Sequence, residues 1–256
     1  MSGEQAMKIL LYLVVAYLIM LTTITIAGTI DPKIADSEYL SYGSKFKCVV
    51  GLCGTEQDDQ LYCASGVVIK PRWILTAAHV IKKAKTCHIT VDDKKINVSI
   101  LFPHKKFDSD NFGYYDIGLV YCDEDVLLDF YPELYNQEDE LGKTCAISGY
   151  GIAGTFNTGA KIGDRKRRAG SNRINNIDRQ LLMCDLKDKY TALEFLIASG
   201  DSGGGLFIDK KLAGINSCVI TSDGRTDSNH NDESGHTRIS QHIEWIESTI
   251  NENEKK

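Results

Sequence analysis

Short runs of apolar residues separated by polar turns dominate this chain. Runs rich in Val and Ile predict strands, and they lie at 46–52, 65–69, 73–75, 88–91, 96–102, 117–121, 144–149, 181–186, 205–208 and 211–217. A polar, acidic stretch at 131–142 divides them into two sets. Only the tail has helical spacing, with Ile243, Ile246 and Ile250 on one face. Two sets of short strands followed by one helix predict an all-β protein of two barrels.

The N-terminal segment has a different character. No charged residue occurs from Ile9 to Ile30, Lys8 precedes this run, and Ala27-Gly28 supplies small residues near its end. The pattern predicts a cleaved signal peptide over residues 1–28 and therefore a secreted protein. The alternative is an uncleaved signal-anchor over residues 9–30, which is long enough to span a bilayer. Only in that case would the membrane be a partner.

The secretory route changes how the cysteines are interpreted, because disulfides are the default in an oxidising compartment. The chain has eight, at Cys48, Cys53, Cys63, Cys87, Cys122, Cys145, Cys184 and Cys218. None forms a CxxC pair, which argues against a zinc ribbon. Cys53 and Cys63 are one candidate bridge, across a hairpin, and the other pairs stay open. Asn97-Val98-Ser99 is a glycosylation sequon that fits the same compartment.

Charge excludes one class of partner. The net charge of -6 over 256 residues argues against a general nucleic-acid binder. The one strong basic run, Arg165-Lys166-Arg167-Arg168, lies in a Gly-rich stretch without interleaved aromatics. We interpret it as an exposed loop, with a patch for anionic surfaces as the alternative.

Three short motifs carry candidate chemistry. They are Thr76-Ala77-Ala78-His79, Asp116-Ile117-Gly118-Leu119-Val120 and Gly200-Asp201-Ser202-Gly203-Gly204, each beside an apolar run. A serine hydroxyl is a poor nucleophile at neutral pH and needs a base within hydrogen-bond reach. Histidine can serve as that base, and a carboxylate can orient the imidazole.

In this order the motifs resemble the chymotrypsin/trypsin family of serine endopeptidases. The resemblance covers about 34–250 and includes the segments 63–69, 145–151, 212–217, 237–239 and 245–246. It implies two six-stranded Greek-key β-barrels, at about 34–130 and about 143–239, with the active site in the cleft between them. A C-terminal α-helix at about 240–250 would complete the domain.

The resemblance also implies roles for single residues. Ser202 would be the nucleophile, His79 its general base and Asp116 the orienting carboxylate. The N–H groups of Gly200 and Ser202 would form the oxyanion hole. Ser217, placed behind Asp116, would present backbone to an extended substrate together with Cys218 and Val219.

These roles need no cofactor and no metal. His230 and His236 do not share a helix or strand register that would make them a metal pair, and we interpret their segment as an exposed polar loop. The implied partners are protein or peptide substrates and protease inhibitors.

Activation is a further implication. Family zymogens are cut before an apolar residue, and the new α-amino group pairs with the acid before the nucleophile, here Asp201. Lys33-Ile34 fits such a cut and makes residues 29–33 a short activation peptide. The following Ala35-Asp36-Ser37 departs from the usual Val-Gly-Gly. The alternative is that Ile34 begins an ordinary exposed strand.

The specificity pocket is predicted to be apolar and of limited depth. Leu196 stands where trypsins place an aspartate, Ile197 follows it, and Val219 stands where a glycine often keeps the pocket open. An unpaired Arg or Lys buried on such a surface would be costly.

The alternative specificity depends on the loop that forms another wall of the pocket. An inward Asp232 or Glu233 would admit a basic side chain, and His236 would favour an acidic one.

The chain departs from the family pattern at three further positions. Val80 and Ala198 replace cysteines, and Gly205 replaces a proline. Cys63 and Cys145 therefore lack their customary partners, and the disulfides must be rewired. The sequence predicts a serine endopeptidase that works through an acyl-enzyme. The alternative is a secreted homologue that no longer cuts and acts as a binding or regulatory protein.

Overall fold

The structure is a computed structural model that describes residues 28–111, 113–221 and 223–254. The predicted signal peptide lies outside the described residues except for its last residue, Gly28. Among the described residues, no helix is both long and apolar enough to cross a membrane.

Six strands of the first half close into a barrel, after a short strand β1 (Gly28–Ile30) that belongs elsewhere. They are β2 Val49–Glu56, β3 Leu61–Lys70, β4 Trp73–Thr76, β5 Ala84–Val91, β6 Lys94–Pro103 and β7 Gly118–Cys122. Their order around the barrel is β2-β3-β4-β7-β6-β5, and β5 pairs again with β2. Every pairing is antiparallel. Inward side chains such as Leu52, Ile74 and Ile89 fill the interior.

The second half contains a seven-stranded and a four-stranded sheet. Its strands are β8 Thr144–Gly149, β9 Ala153–Thr155, β10 Gly159–Ile162, β11 Arg168–Arg173, β12 Asn176–Asp178, β13 Leu181–Cys184, β14 Phe195–Leu196, β15 Gly205–Ile208, β16 Lys211–Ile220 and β17 Glu233–Arg238. The larger sheet runs β11-β8-β15-β16-β17-β13-β12, and the smaller runs β10-β9-β1-β14. The N-terminal strand β1 is therefore part of the second half.

In the described part of the chain, three α-helices accompany the strands, and two of them were not predicted. Helix α1 spans Asp36–Gly43, α2 spans Ala78–Ile81 and α3 spans Ile243–Glu254. Helix α1 has no clear apolar stripe in its sequence, and for this reason the sequence pattern did not predict it. In the structure it is held mainly by the buried side chain of Tyr39 and by an ion pair between Asp36, its first residue, and Arg168. Helix α3 begins three residues later than predicted and continues to Glu254, after a 3₁₀ turn at Ile239–Gln241.

The apolar core explains why the halves stay together. One cluster joins Val67 and Leu75 of the first barrel to Leu212 and Ile215 of the second half, and the apolar face of α3 packs into it through Ile246. Burying apolar area in this way is the main favourable term in association. The predicted all-β fold class with barrel-like sheets and a C-terminal helix is confirmed. The first half has the predicted six strands, whereas the second half forms a seven-stranded and a four-stranded sheet in place of one six-stranded barrel.

Two segments predicted to be exposed loops are in fact partly buried. The side chain of Arg168 is fully buried in β11, and Arg167 donates to the carbonyl of Val49. His236 lies in β17 with no exposed surface. Both predictions rested on local polarity, and long-range partners overrode it.

Candidate active site

The predicted base and its carboxylate lie together at the edge of the first barrel. Helix α2 begins directly after β4 and carries His79, while Asp116 lies just before β7. Because β4 and β7 are neighbours, with Thr76 opposite Gly118, the two residues meet. The Nδ1 of His79 is 2.8 Å from Oδ2 of Asp116, and the backbone N–H of His79 donates to Oδ1 at 2.9 Å.

Asp116 is held as a carboxylate inside the protein. Its side chain is only 8% exposed, compared with 37% for His79. Burial acts to raise the pKa of Asp116, but hydrogen bonds from His79 and from the Ser217 hydroxyl, 2.6 Å away, outweigh it and lower that pKa. Thr237 donates to the backbone carbonyl of Asp116 and anchors it to β17. A fixed anion on Nδ1 leaves Nε2 of His79 as the basic nitrogen.

The turn that carries Ser202 is shaped by glycines. Gly200 and Gly203 have φ of +90° and +84°, values that favour glycine. A Cβ on Gly203 would overlap the backbone oxygen of Ser65 and the hydroxyl of Thr76. The N–H of Gly204 donates to the carbonyl of Asp201 at 2.9 Å and closes the turn. This places the Gly200 and Ser202 amides on one tight bend.

Ser65, a residue that the sequence analysis did not single out, links the first barrel to this turn. Its backbone N–H donates to the carbonyl of Ser202 at 2.8 Å, and its hydroxyl donates to the carbonyl of Gly200 at 2.9 Å. The same hydroxyl accepts the N–H of Tyr150. The sequence places Ser65 in a strand, two residues after Cys63. This local pattern does not reveal its contact with Gly200, which is 135 residues away in the chain.

Asn216 and His236 support the turn from below. The amide of Asn216 donates to the carbonyls of Ser148 and Asp201, both at 3.1 Å. The backbone carbonyl of Asn216 accepts the N–H of Gly203 at 2.8 Å. His236 lies 2.9 Å from Oδ1 of Asn216 through Nδ1, and burial lowers the pKa of His236 to about 3. His236 is therefore neutral and donates from Nδ1, which fixes the orientation of the amide.

Two adjoining cavities flank the site. One, of about 230 Å³, is lined by His79, Asp116, Ser217 and Cys218 among others. The other, of about 160 Å³, is lined by Ser202 and shares the wall formed by Ser217 and Cys218. The predicted base and nucleophile thus lie on either side of a common wall. Burial raises the pKa of the Cys218 thiol to about 12, which keeps it protonated.

The smaller cavity brings together most of the predicted pocket. Its wall includes Ile197, Ser217, Cys218 and Val219, as expected, and adds residues not predicted as lining, namely Ala198, Ser199 and Thr226. Leu196 does not line it, because β14 turns that residue into the core opposite β1.

The two candidate acids also lie away from this cavity's wall. Oε1 of Glu233 is 2.9 Å from Nζ of Lys187. Asp232 is buried, accepts the N–H of Asn229 at 3.1 Å, and has its other oxygen without a hydrogen-bond partner in the described structure. His236, the third candidate, faces Asn216 instead.

The structure does not bring together the predicted activation residues. Lys33 is exposed, and the N–H of Ile34 donates to the carbonyl of Asp31 in a surface turn. Asp201 is fully buried, and its oxygens accept the N–H groups of Gly151 and Ala198 at 2.8 and 2.9 Å.

The remaining predicted sites have clear positions. Asn97 of the sequon is exposed on β6. Cys53 and Cys63 form a disulfide across β2 and β3, so that candidate bridge is confirmed. Within the described ranges, no group of three or more His, Cys, Asp or Glu residues is arranged to hold a metal ion.

Known proteins are similar to this chain in sequence and in fold. The Trypsin family model matches residues 40–246. Chymotrypsin of Phaedon cochleariae is 28% identical over 208 residues, covering 73% of this chain and 71% of the relative. Kallikrein-1E2 of Equus caballus is 25% identical over 224 residues, covering 73% and 80%.

Solved structures agree on the fold. HL collagenase superposes with a TM-score of 0.68 at 20% identity, covering 88% of this chain and 98% of that structure. Neuropsin of mouse brain superposes with a TM-score of 0.65 at 21% identity, covering 80% and 95%. The family match spans most of the chain and both halves of the site, and the chain therefore belongs to the trypsin family of serine proteases.

Proposed function

We propose that this protein is a secreted serine endopeptidase in which Ser202 is the nucleophile, His79 the general base and Asp116 the orienting carboxylate. The observation that carries the proposal is the bonded pair of His79 and Asp116 in a cleft whose other side holds Ser202. A homologue that no longer catalyses the reaction has no need to keep the buried carboxylate of Asp116, which accepts three hydrogen bonds. Each such buried anion is costly unless it is fully paired.

The reaction follows from these positions. Nε2 of His79 takes the proton of the Ser202 hydroxyl as Oγ bonds to the peptide carbonyl carbon. The imidazolium is stabilised by Asp116 and gives that proton to the leaving amine as the C–N bond breaks, which leaves an acyl-enzyme on Ser202. Water, activated by the same imidazole, then releases the acid and restores the serine.

The oxyanion hole is assigned to the amides of Gly200 and Ser202. Negative charge develops on the carbonyl oxygen of the substrate in the tetrahedral intermediate, and preorganised N–H donors stabilise it. The contact from Ser65 to the carbonyl of Gly200 supports the required orientation of this peptide. Loss of one such donor costs about 10²–10³ in kcat in related sites.

Specificity is proposed to be apolar. The pocket beside Ser202 has a volume of about 160 Å³ and apolar walls at Ile197, Ala198 and Val219. Glu233 is paired with Lys187 and therefore does not offer a free anion to a basic side chain. A small or medium apolar side chain before the cut bond fits this surface best.

The catalytic assignment is tested with a fluorophosphonate, which labels only a serine that is activated and beside an oxyanion hole. We expect labelling of the parent protein and none of Ser202→Ala, while His79→Ala labels at least about 10³-fold more slowly. The double variant should hydrolyse peptides no more slowly than either single variant, because the residues act as a unit. A well-folded parent that neither labels nor cleaves peptides would instead be the non-catalytic homologue.

Specificity is tested by profiling a peptide library. Val219→Gly enlarges the pocket and should shift preference toward larger apolar side chains by about 10-fold or more. Glu233→Gln is the matched control, because its carboxylate is already paired outside the pocket and its loss should leave the profile unchanged. A strong preference for Arg or Lys that Glu233→Gln abolishes would contradict the apolar pocket.

A further inference from the structure

A second, apolar cavity lies where the end of helix α1 meets strand β15 of the second half. It encloses about 490 Å³, within the range of small-molecule sites, roughly 300–1,000 Å³. Its lining shares no residue with the two cavities beside Ser202 and His79. A molecule bound here would therefore leave the candidate active site open.

Aromatic side chains from three parts of the chain form the walls of this cavity. Phe46 follows α1 and packs on Phe207 of β15, with ring centroids 5.1 Å apart. Tyr42 of α1 meets Phe46 edge to face at 5.3 Å. Phe130 and Pro132, from the stretch between the two halves, complete the apolar lining. Since Phe207 is buried in the shared core and Phe46 packs against that core, the fold holds these walls in place.

One wall leaves much of its aromatic surface in water. The side chain of Phe130 is 56% exposed, although Pro132, two residues later, is buried. Removing apolar surface from water is favourable. An apolar molecule in the cavity would cover part of this ring.

Two lysines give the cavity its charge. Lys45 follows α1, and Lys210 lies in the turn between β15 and β16. The amine of Lys45 lies 5.4 Å from the centre of the Tyr42 ring. Among the described residues, no acidic side chain lines the cavity, and neither amine is paired with a carboxylate. The apolar walls are thus bordered by positive charge alone.

The neighbouring lysines differ in this respect. Nζ of Lys47 lies 3.7 Å from a carboxylate oxygen of Asp129, and Nζ of Lys211 lies 2.8 Å from one of Glu133. Neither of these lysines lines the cavity. The chain therefore offers a paired lysine within two positions of each unpaired one.

We propose that this cavity binds a small apolar carboxylate of the fatty-acid type, with its chain against the rings of Phe46, Phe130 and Phe207 and its anionic head at Lys45 and Lys210. A neutral apolar molecule would leave the two amines without a counter-charge, and a polar anion such as phosphate would leave the rings uncovered. The ligand is a free molecule, because the site is a cavity and not a flat surface. The inference does not depend on the proposed function.

The first experiment compares two probes that have the same chain and opposite charge, dodecanoate and dodecyltrimethylammonium. The full chain is expressed in a eukaryotic host, and isothermal titration calorimetry is performed below the micelle concentration of each probe. We expect dodecanoate to saturate one site and to bind at least about 10-fold more tightly than the cation. Equal affinities would overturn the inference. So would binding to phosphatidylserine vesicles without saturable binding of dodecanoate.

The second experiment removes the two amines. The double variant Lys45→Met, Lys210→Met keeps long apolar side chains and should bind dodecanoate at least about 10-fold more weakly, since exposed ion pairs contribute modestly one by one. The control Lys47→Met, Lys211→Met loses the same net charge from amines that are already paired outside the cavity, and it should bind as the parent does. Equal losses in the two double variants would show that net charge, and not this cavity, attracts the probe.

The third experiment tests the apolar wall. Phe130→Ala should weaken dodecanoate binding at least about 5-fold, because the chain loses the ring that it covers. Leu127→Ala is the control, because Leu127 is 80% exposed in the same stretch and does not line the cavity. Near-UV circular dichroism verifies that both variants are folded. Unchanged affinity in Phe130→Ala would contradict the inference.

The thiol of Cys48 reports where the probe binds. Cys48 lines the cavity and is 7% exposed, and burial raises its pKa to about 11, so that its alkylation is slow. Saturating dodecanoate should slow the alkylation of Cys48 by N-ethylmaleimide at least about 5-fold, as followed by peptide mapping, because a bound chain blocks access. The alkylation of Cys218 and the fluorophosphonate labelling of Ser202 should not change. Protection of Cys218 in place of Cys48, or equal rates with and without dodecanoate, would overturn the inference, whereas a protein that binds dodecanoate here and does not label loses only the enzymatic assignment.

Discussion

At the scale of single residues, the site depends on which buried groups stay charged. Asp116 is ionised in the interior because His79 and Ser217 donate to it, which lowers its pKa despite burial. His236 has the opposite character, since burial without a charged partner lowers its pKa to about 3 and keeps it neutral. A charged imidazolium at this position would lose its hydration on burial, and the neutral amide oxygen of Asn216 would not compensate for that loss.

The buried His236 makes stability depend on pH. Its pKa is about 3 in the folded state and 6.5 in the unfolded state, so between these values only the unfolded chain binds the proton. Stability is therefore full above about pH 6.5 and falls toward pH 3, by about 1.4 kcal/mol per pH unit from this group. In His236→Asn, the asparagine amide replaces Nδ1 and does not titrate. The part of the pH dependence of the unfolding free energy that comes from His236 should therefore vanish. Urea unfolding between pH 7 and pH 4 measures it.

The exposed His230 supplies the control for that experiment. His230→Asn removes one histidine from the same segment without removing a buried group. Its pH dependence should match that of the parent. A His236→Asn slope equal to the parent slope would contradict the prediction.

Ser65 is the residue-scale test of the oxyanion turn. Ser65→Ala removes the hydrogen bond to the carbonyl of Gly200 and leaves the N–H of Tyr150 without its acceptor. One hydrogen bond of this kind contributes about 1–1.5 kcal/mol, so kcat should fall roughly 10-fold while KM changes little. Steady-state kinetics on a peptide substrate measure kcat and KM separately. Ser37→Ala, at an exposed position of α1, should leave both constants unchanged. A change in KM alone for Ser65→Ala would contradict the assigned role.

At the scale of elements, long-range partners hold short segments that have little stability of their own. Helix α1 has eight residues and a weak apolar face, and isolated helices of this length are marginal in water. Asp36 at its start bonds the buried guanidinium of Arg168 at 2.6 and 2.8 Å, and Asp164 bonds the same group at 2.9 Å. The helix is thereby fastened to β11.

We expect Arg168, which forms the ion pair with α1, to contribute far more to the free energy of unfolding than the other arginines of the same basic run. Arg168→Ala leaves Asp36 and Asp164 without their partner, and breaking a buried pair costs about 3–5 kcal/mol. Arg165→Ala, three residues earlier on an exposed turn, should change stability by less than about 0.5 kcal/mol. Denaturant unfolding compares the two, and equal effects would show that the buried contact does not stabilise the fold.

At the scale of the whole molecule, disulfide cross-links stabilise the fold in addition to the apolar core that the two halves share. Cys53 and Cys63 staple one hairpin of the first barrel. In the second half, the sulfurs of Cys145 and Cys184 lie 3.8 Å apart and are buried together. Such a separation requires only a small adjustment to reach a disulfide.

We expect Cys145 and Cys184 to be disulfide-bonded in secreted protein. Two thiols form one S–S bond and give two electrons and two protons to a disulfide of a secretory-pathway oxidoreductase by exchange. Peptide mapping without reduction should show this link beside Cys53–Cys63, while Cys48 is recovered as a free thiol. Separate alkylation of Cys145 and Cys184 in native secreted protein would contradict the expectation.

The sequence by itself determined the fold class and the family resemblance, and it made Cys53–Cys63 one candidate bridge, which the structure contains. These depend on local signals, since strand periodicity, short motifs and a hairpin are all written within a few adjacent residues. The family resemblance, and not the strand pattern, implied that His79 and Asp116 would meet, and the two side chains do meet.

Only the tertiary structure decided which polar groups are buried and where strand β1 lies. Arg168 and His236 look like surface residues in sequence, because their partners Asp36 and Asn216 are remote along the chain or across a sheet. Leu196 left the pocket because β14 pairs with β1, a contact between residues more than 160 positions apart. Burial is a property of the assembled chain, and periodicity within one segment does not determine which distant segment will cover it.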